Sequence, residues 1–130
     1  MALMLDTCGL LSLVGLVRKR LSRKTLQNIS TADTVYVSAC SMFEIAIKHK
    51  KQELDLGIFT DAQSLWNAAL TEYDLTDLPV SNDVFFQSVK LPDHHADPFD
   101  RIIIAQTFKL RISLVTFDSL FTEYGVSVME

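Results

Sequence analysis

Four acidic side chains lie where the strands of an α/β fold would end. Each directly follows a short apolar segment or falls in the first turns of the helix after it. The four residues are Asp6, Glu44, Asp100 and Asp118. Because the carboxyl ends of parallel strands meet at one edge of a sheet, we expect these carboxylates to gather there. Carboxylates so close together repel one another unless a hard cation such as Mg²⁺ or Mn²⁺ neutralises them. A cation in such a site activates water and stabilises charge on a phosphate oxygen, as phosphodiester hydrolysis requires.

These acids also have ordinary structural explanations. Asp6 ends the apolar run Leu3–Leu5 and could form an Asx-type turn. Ser41 and Glu44 have the spacing of a capping box, which would tie Glu44 to a helix start. Alternatively, Ser38 caps that helix, and Glu44 is then free to point across the strand ends.

The segment His94–Gln106 contains the clearest helix start in the chain. Asp97 has the character of an N-cap, and Pro98 suits the first helical position. Asp100 follows in the first turn, where the helix dipole favours negative charge. The apolar run Ile102–Ala105 then predicts a helix that is buried on most of its faces. Asp97 and Asp100 could serve only to cap the start of this helix, or they could lie at the opening of a functional site.

Strands and helices alternate along the predicted fold. Hydrophobic patterning predicts strands over residues 3–5, 34–37, 73–75, 111–116 and 126–129. It predicts helices over residues 10–17, 22–28, 41–50, 61–72, 81–91, 97–106 and 119–124. This order indicates a parallel sheet with helices on both faces, and no linker or repeat divides it.

Positive charge is concentrated in the first part of the chain. Residues 1–51 carry eight Lys and Arg against three acids, whereas residues 52–130 carry four against thirteen. Lys48, one turn after Glu44, could pair with that carboxylate or contact a phosphate. Five other basic residues form a basic cluster. This cluster could be a solvated helix face or a surface that contacts a phosphate backbone. Its members are Arg18, Lys19, Arg20, Arg23 and Lys24.

Composition bounds the remaining possibilities. With 48% hydrophobic and 22% charged residues, the 130 residues should form one globular domain over 1–130. Cys8 and Cys40 have no disulfide or metal-site spacing and are expected to pack. His94 and His95 lack zinc-ligand spacing, and substrate contact is their less favoured role. No apolar run reaches the roughly 18 residues of a membrane span and no basic leader is present, so we expect a soluble, cytoplasmic protein.

Several motifs resemble those of PIN-domain ribonucleases of the VapC type. They occur in that family's order and extend over essentially the whole chain. The motifs are Leu5-Asp6-Thr7, Phe43–Lys48, His94–Gln106, Val115–Asp118 and Tyr124–Val126. The chain departs from this branch at Phe43, where tryptophan is common, and over residues 11–20, which lack the usual tryptophan-containing pattern. Neither departure removes an acid, so both bear on packing or partner choice.

The resemblance implies a PIN-like three-layer α/β/α sandwich with a mostly parallel sheet of four to five strands. It further implies an endoribonuclease dependent on Mg²⁺ or Mn²⁺, usually the toxin of a toxin–antitoxin pair. Such toxins typically form homodimers and are held inactive by a small antitoxin protein.

The resemblance also implies a role for each site residue. Asp6 and Asp118 would be direct metal ligands, and Asp100 a ligand or a water-mediated partner. Glu44 would coordinate the metal, or orient and deprotonate the attacking water. Asp97 is an accessory that caps the helix or shares the metal with Asp100. Residues of the basic cluster and Lys48 would follow the RNA backbone.

Three other functions compete with this interpretation. A phosphoacceptor signalling domain would need an acidic pair after the first strand, and only Asp6 is there. A non-catalytic module could use the same face to bind RNA or a protein. A nuclease acting on structured DNA is the third possibility, because the superfamily includes such enzymes.

Overall fold

The computed structural model describes residues 1–130 and contains one five-stranded sheet in which all neighbouring strands are parallel. The strand order is β3-β2-β1-β4-β5. The strands are β1 (Ala2–Leu5), β2 (Thr34–Ser38), β3 (Leu75–Leu78), β4 (Ser113–Val115) and β5 (Val128–Met129).

Helices cover both faces of this sheet, so the predicted three-layer α/β/α sandwich is confirmed. The helices are α1 (Thr7–Leu13), α2 (Arg23–Thr31), α3 (Ala39–Lys50), α4 (Ala62–Glu72), α5 (Asn82–Lys90) and α6 (Pro98–Leu110). A 3₁₀ helix, Ser119–Tyr124, connects β4 to β5. None of the helices combines the length and the apolar character needed to cross a membrane.

Strand β1 lies at the centre because its residues are apolar on both sides. Leu3, Met4 and Leu5 are fully buried. Side chains alternate along a strand, so Leu3 and Leu5 enter the core beneath α1, α2 and α4, while Met4 enters the core beneath α5 and α6. Such continuous apolar runs are typical of parallel strands covered on both faces.

Helix α3 contributes to both cores and therefore sits across the edge where the acids were expected. Its Ile45 packs in the first core and its Cys40 in the second. The helix begins after Ser38, whose side chain accepts a hydrogen bond from the N–H of Cys40. The capping-box interpretation with Ser41 is therefore wrong, because β2 runs directly into α3 and leaves Ser41 buried inside the helix.

Three predicted strand boundaries are also wrong. The third strand is Leu75–Leu78 rather than residues 73–75, because Tyr73 ends α4 and Asp74 turns the chain with a φ of 53°. The fourth strand is Ser113–Val115, shorter than residues 111–116, because Arg111 ends α6 in the left-handed conformation. The final strand spans Val128–Met129 only.

Candidate active site

Asp6 stands at the carboxyl end of the central strand and is almost completely buried. Its N–H donates to the Val115 carbonyl of the adjacent strand at 3.1 Å, and its Oδ1 accepts from the N–H of Gly9 at 2.7 Å. The side chain thus caps α1, yet it is only 5% exposed and forms no salt bridge. Burial raises the pKa of Asp6 to about 6, although hydrogen bonds from Thr116 and Gly9 oppose this rise.

Gly9 is required by this geometry. A Cβ at this position would lie 2.8 Å from the Val115 carbonyl oxygen and 3.1 Å from Asp6 Oδ1. Both atoms belong to the edge of the site, and the carbonyl is part of a sheet strand that cannot move freely. Glycine therefore lets α1 start close enough to β4 for Asp6 to be buried.

Asp118 follows β4 and is held by hydrogen bonds at both carboxylate oxygens. Oδ1 accepts from the N–H of Leu120 at 2.9 Å, and Oδ2 lies 2.8 Å from Nε2 of His95. Desolvation raises the pKa of Asp118, but the bonds from His95 and Leu120 outweigh it and leave the pKa below its usual range. Asp118 therefore carries a negative charge near neutral pH.

Asp100 lies in the first turn of α6 and also forms no salt bridge. Burial, together with the charge of Asp97, raises the pKa of Asp100 to about 7. Asp97 itself is exposed, and its Oδ1 accepts from the N–H of Phe99 at 2.9 Å. Asp97 thus caps α6 and acts on Asp100 through its charge.

Glu44 is buried on α3 and has two partners. Its Oε1 accepts from the Thr7 hydroxyl at 2.7 Å, and its Oε2 accepts from the Lys48 ammonium at 2.9 Å. The ion pair predicted as one alternative is therefore present, and it raises the pKa of Lys48 through the hydrogen bond to Glu44. Thr7 directly follows Asp6, so its hydrogen bond to Glu44 connects α3 to the start of α1, which Asp6 caps.

Asp6, Asp100 and Asp118 line one cleft, whereas Glu44 is not part of its lining. An open cavity of about 380 Å³ is lined by Asp6, Cys8, Asp100, Thr116, Phe117, Asp118 and Phe121. The charges of Glu44 and Asp118 both contribute to the raised pKa of Asp6, and those of Asp6 and Glu44 to that of Asp100. One potential ligand atom from each of His95, Asp100 and Asp118 lies within 4.8 Å of the others.

The donor set fits a hard divalent cation. It consists mainly of carboxylate oxygens, and two of the carboxylates have no cationic partner in the chain despite their burial. A buried carboxylate without a partner is costly unless a positive charge compensates it. A divalent cation would supply that positive charge. The nearby thiol of Cys8 has a raised pKa and therefore remains protonated, so it is not a thiolate ligand.

The basic cluster reaches the cleft through one side chain. The Lys19 ammonium lies 4.8 Å from the centre of the Phe117 ring, and Phe117 precedes Asp118 at the cleft. Arg18 and Arg20 flank Lys19 on the same exposed loop. Arg23 and Lys24 lie exposed in the first turn of α2, where the helix dipole disfavours positive charge.

His95 and Arg101 contribute contacts that the sequence did not predict, since substrate contact was only the less favoured role of His95 and Arg101 had none. The side chain of His95 is 6% exposed, and it contacts Asp118 rather than solvent. Arg101 donates to five main-chain carbonyls at the end of α5 and in the segment between α5 and α6. No local spacing could reveal these contacts, since Asp118 is 23 residues from His95. His94 remains exposed and has only an edge-to-face contact with Tyr124.

The family model of the PIN domain matches residues 3–126. A comparison with curated protein sequences finds no match. Among solved structures, FitAcB from Neisseria gonorrhoeae is 16% identical with a TM-score of 0.65, over 98% of this chain and 96% of that one. A toxin–antitoxin complex from Klebsiella pneumoniae is 20% identical with a TM-score of 0.65, over 98% and 95%.

VapBC2 from Rickettsia felis, bound to a DNA fragment from its promoter, is 15% identical with a TM-score of 0.69, over 98% and 97% of the two chains. At these identities the structural similarity shows a shared fold. The chain therefore belongs to the PIN-domain family, which is a family of nucleases, and the resemblance seen in the sequence motifs is confirmed at the level of this family.

Proposed function

We propose that this protein is a metal-dependent endoribonuclease and the toxin of a VapBC-type toxin–antitoxin pair, with residues 1–130 forming a single PIN domain. The observation that carries the proposal is a pair of carboxylates, the buried Asp6 and the half-buried Asp100, which face one cleft without a cationic partner. Folding around such groups is unfavourable, so their presence at the carboxyl edge of the sheet indicates a catalytic use.

Asp6, Asp100 and Asp118 would hold Mg²⁺ or Mn²⁺. When bound, the cation would neutralise these carboxylates and stabilise charge on a phosphate oxygen of the substrate. Asp118 is suited to this role because its carboxylate is already ionised and fixed by two hydrogen bonds. Asp97 would act indirectly, through its charge on Asp100.

Glu44 would orient the attacking water and accept its proton. Thr7 and Lys48 each occupy one of its carboxylate oxygens, which fixes the plane of the group and leaves further lone pairs on both oxygens. The Lys48 side chain is 43% exposed, so its ammonium can remain bound to Glu44 and also face a phosphate. This arrangement would bring the substrate backbone beside the proton acceptor.

RNA is the proposed substrate, and the basic cluster would bind its backbone. Support for this role comes from Lys19, whose ammonium lies 4.8 Å from the centre of the Phe117 ring at the cleft. Arg18, Arg20, Arg23 and Lys24 would extend the contact with phosphates away from the reacting bond.

A small antitoxin protein and a second copy of this chain are the proposed partners. Support for an antitoxin comes from the structures that share the fold, which include a toxin–antitoxin complex and VapBC2. Exposed apolar side chains on α5 support self-association, because Phe85, Phe86 and Val89 are 46%, 69% and 78% exposed.

The test is cleavage of a mixed RNA pool by purified protein freed of any antitoxin, with Mg²⁺, with Mn²⁺ and with EDTA. We expect cleavage that depends on the metal and is lost in Asp6→Asn, which keeps the size of the side chain and removes its charge. Asp55→Asn, at an exposed loop position, is the matched control and should cleave at the wild-type rate. Circular dichroism of both variants checks that they are folded, which we expect.

Two other results would assign a different function to this site. Cleavage of structured DNA but not of RNA would assign the site to a DNA nuclease. Metal-independent binding of RNA or protein by a folded chain that cleaves nothing would indicate a non-catalytic module.

A further inference from the structure

We propose that His95 is a positioning residue that, aligned by Tyr124, fixes the Asp118 carboxylate for cation binding. This inference rests on the function proposed above, since it assigns the cation to the same cleft. It adds a residue outside the acidic set and explains why a histidine is buried at the edge of an acidic site.

The contacts of the His95 ring determine which of its nitrogens carries the proton. Nε2 lies 2.8 Å from Asp118 Oδ2, and Nδ1 lies 3.1 Å from the Tyr124 hydroxyl oxygen. A neutral ring protonated on Nδ1 would turn the Nε2 lone pair toward a carboxylate oxygen, which is repulsive. The favourable arrangement has Nε2–H donating to Asp118 while the tyrosine O–H donates to Nδ1.

Packing holds the ring in this orientation. Its plane stacks on Phe121 at a centroid distance of 4.6 Å and an angle of 20°. Phe121 and Tyr124 both lie in the 3₁₀ helix that Asp118 caps, so the ring contacts one short element at three points. The main chain of His95 is fixed as well, because its carbonyl accepts from Arg101 at 3.1 Å.

The consequence for Asp118 is a defined direction for its free lone pairs. The carboxylate is 42% exposed and would otherwise rotate in solvent. His95 and the N–H of Leu120 each occupy one oxygen, which leaves the remaining lone pairs to face the cleft shared with Asp100. Hydrogen bonds that orient a metal-binding carboxylate in this way raise its affinity for the metal.

The test is the affinity for Mn²⁺, measured by electron paramagnetic resonance of the free ion, in wild type, His95→Phe and His95→Gln. Phenylalanine keeps the stacking on Phe121 and removes the donor, whereas glutamine restores an N–H near the position of Nε2. We expect His95→Phe to weaken binding about tenfold or more and His95→Gln to recover most of it. His94→Phe, which changes the exposed neighbour, should bind as wild type does.

Further readouts separate positioning from other roles. A purely structural role for His95 would lower the melting temperature of His95→Phe without changing its Mn²⁺ affinity, and this result would overturn the proposal. Electron spin echo modulation from a nitrogen bound directly to Mn²⁺ in wild type would also overturn it, because His95 would then be a ligand. If His95→Phe does not fold, failure of His95→Gln to bind more tightly than His95→Ala would overturn it.

The outcomes also distinguish this inference from the proposed function. A wild-type chain without affinity for Mn²⁺ would overturn the metal-dependent function itself. If wild type and His95→Phe bind Mn²⁺ with equal affinity, the proposed function is unaffected and only the role of His95 is overturned.

Discussion

At the scale of one residue, the burial of the Asp6 carboxyl opposes the stability of the fold. The side chain is 5% exposed, and its pKa of about 6 in the fold exceeds the value of 3.8 expected for the unfolded chain. A carboxyl whose pKa is raised by folding destabilises the fold once the pH exceeds these values, because the unfolded chain then ionises more easily. Without a bound cation, the free energy of unfolding should therefore fall as the pH rises from about 4 through 6.

Replacing Asp6 with asparagine should accordingly stabilise the metal-free protein while abolishing cleavage. The amide keeps an acceptor for the N–H of Gly9 and removes the charge that burial disfavours. The gain at pH 8 in EDTA should reach at most about 3 kcal/mol, from roughly two pKa units at 1.36 kcal/mol each. Thermal melts at pH 8 and pH 4 measure it, and the gain should be smaller at pH 4. A destabilised Asp6→Asn at pH 8 would contradict the assignment of an uncompensated charge.

The raised pKa of Asp100 predicts how cation binding depends on pH. Protons compete with the metal for the Asp100 and Asp6 carboxylates, whose pKa values are about 7 and about 6. Affinity for Mn²⁺ should therefore fall as the pH decreases from 8 to 6. Because the charge of Asp97 contributes to the raised pKa of Asp100, Asp97→Asn should move this profile toward lower pH. A Mn²⁺ titration at each pH tests both statements, and an unmoved profile would exclude the influence of Asp97.

At the scale of elements, Arg101 connects α5, α6 and the segment 91–97 between them. Its guanidinium donates to the carbonyls of Ser88, Val89, Leu91, Pro92 and His95 at 2.7–3.3 Å. Three of these carbonyls belong to the end of α5 or follow it directly, where helices leave carbonyls without partners. The side chain is 12% exposed, so these hydrogen bonds are shielded from water.

Arg101→Lys should weaken this connection although the charge is kept. A single ammonium has three donors and cannot reach five carbonyls arranged around a planar fork. We expect a loss of about 2 kcal/mol or more in the free energy of unfolding, at about 1 kcal/mol for each lost hydrogen bond. Faster amide exchange over residues 91–97 should accompany it, measured by mass spectrometry. Arg111→Lys, the same change at an exposed arginine, is the control, and an equal loss there would refute the special role of Arg101.

Element order was predictable from the sequence, whereas some boundaries and the inner contacts of the site were not. Apolar runs such as Leu3–Leu5 indicated the parallel sheet, because strands covered on both faces need no polar residues. Arg111 and Asp74 were misassigned because both adopt left-handed conformations that only the end of a packed helix reveals. The burial of His95 depends on Phe121, Tyr124 and Asp118, which are distant in the chain.

At the scale of the whole molecule, the fold brings a basic surface and an acidic cleft together. The chain has a net charge of −4, which disfavours approach of a polyanion overall. Its first 51 residues nevertheless carry eight of the twelve basic side chains. The contact of Lys19 with Phe117 brings part of this charge to the rim of the cleft, where it can offset the acids for an incoming phosphate. The basic loop should therefore govern affinity for RNA rather than for the cation.

Lys19→Ala should weaken RNA binding in a manner that depends on salt. Each phosphate contact to a single strand contributes about 0.7 to the slope of log affinity against log salt concentration, so the slope should decrease by about that amount. Fluorescence anisotropy gives the affinity at several salt concentrations, with Lys19→Ala made in the Asp6→Asn protein, which we expect not to cut the probe. In the protein that retains Asp6, Lys19→Ala should not change the affinity for Mn²⁺, because the Lys19 ammonium contacts the Phe117 ring and no acid.

The control is Lys51→Ala, which removes an exposed lysine at the end of α3 and should leave the salt dependence of RNA binding unchanged. Equal effects of the two substitutions would show that RNA responds to the total charge of the chain and not to the loop beside the cleft.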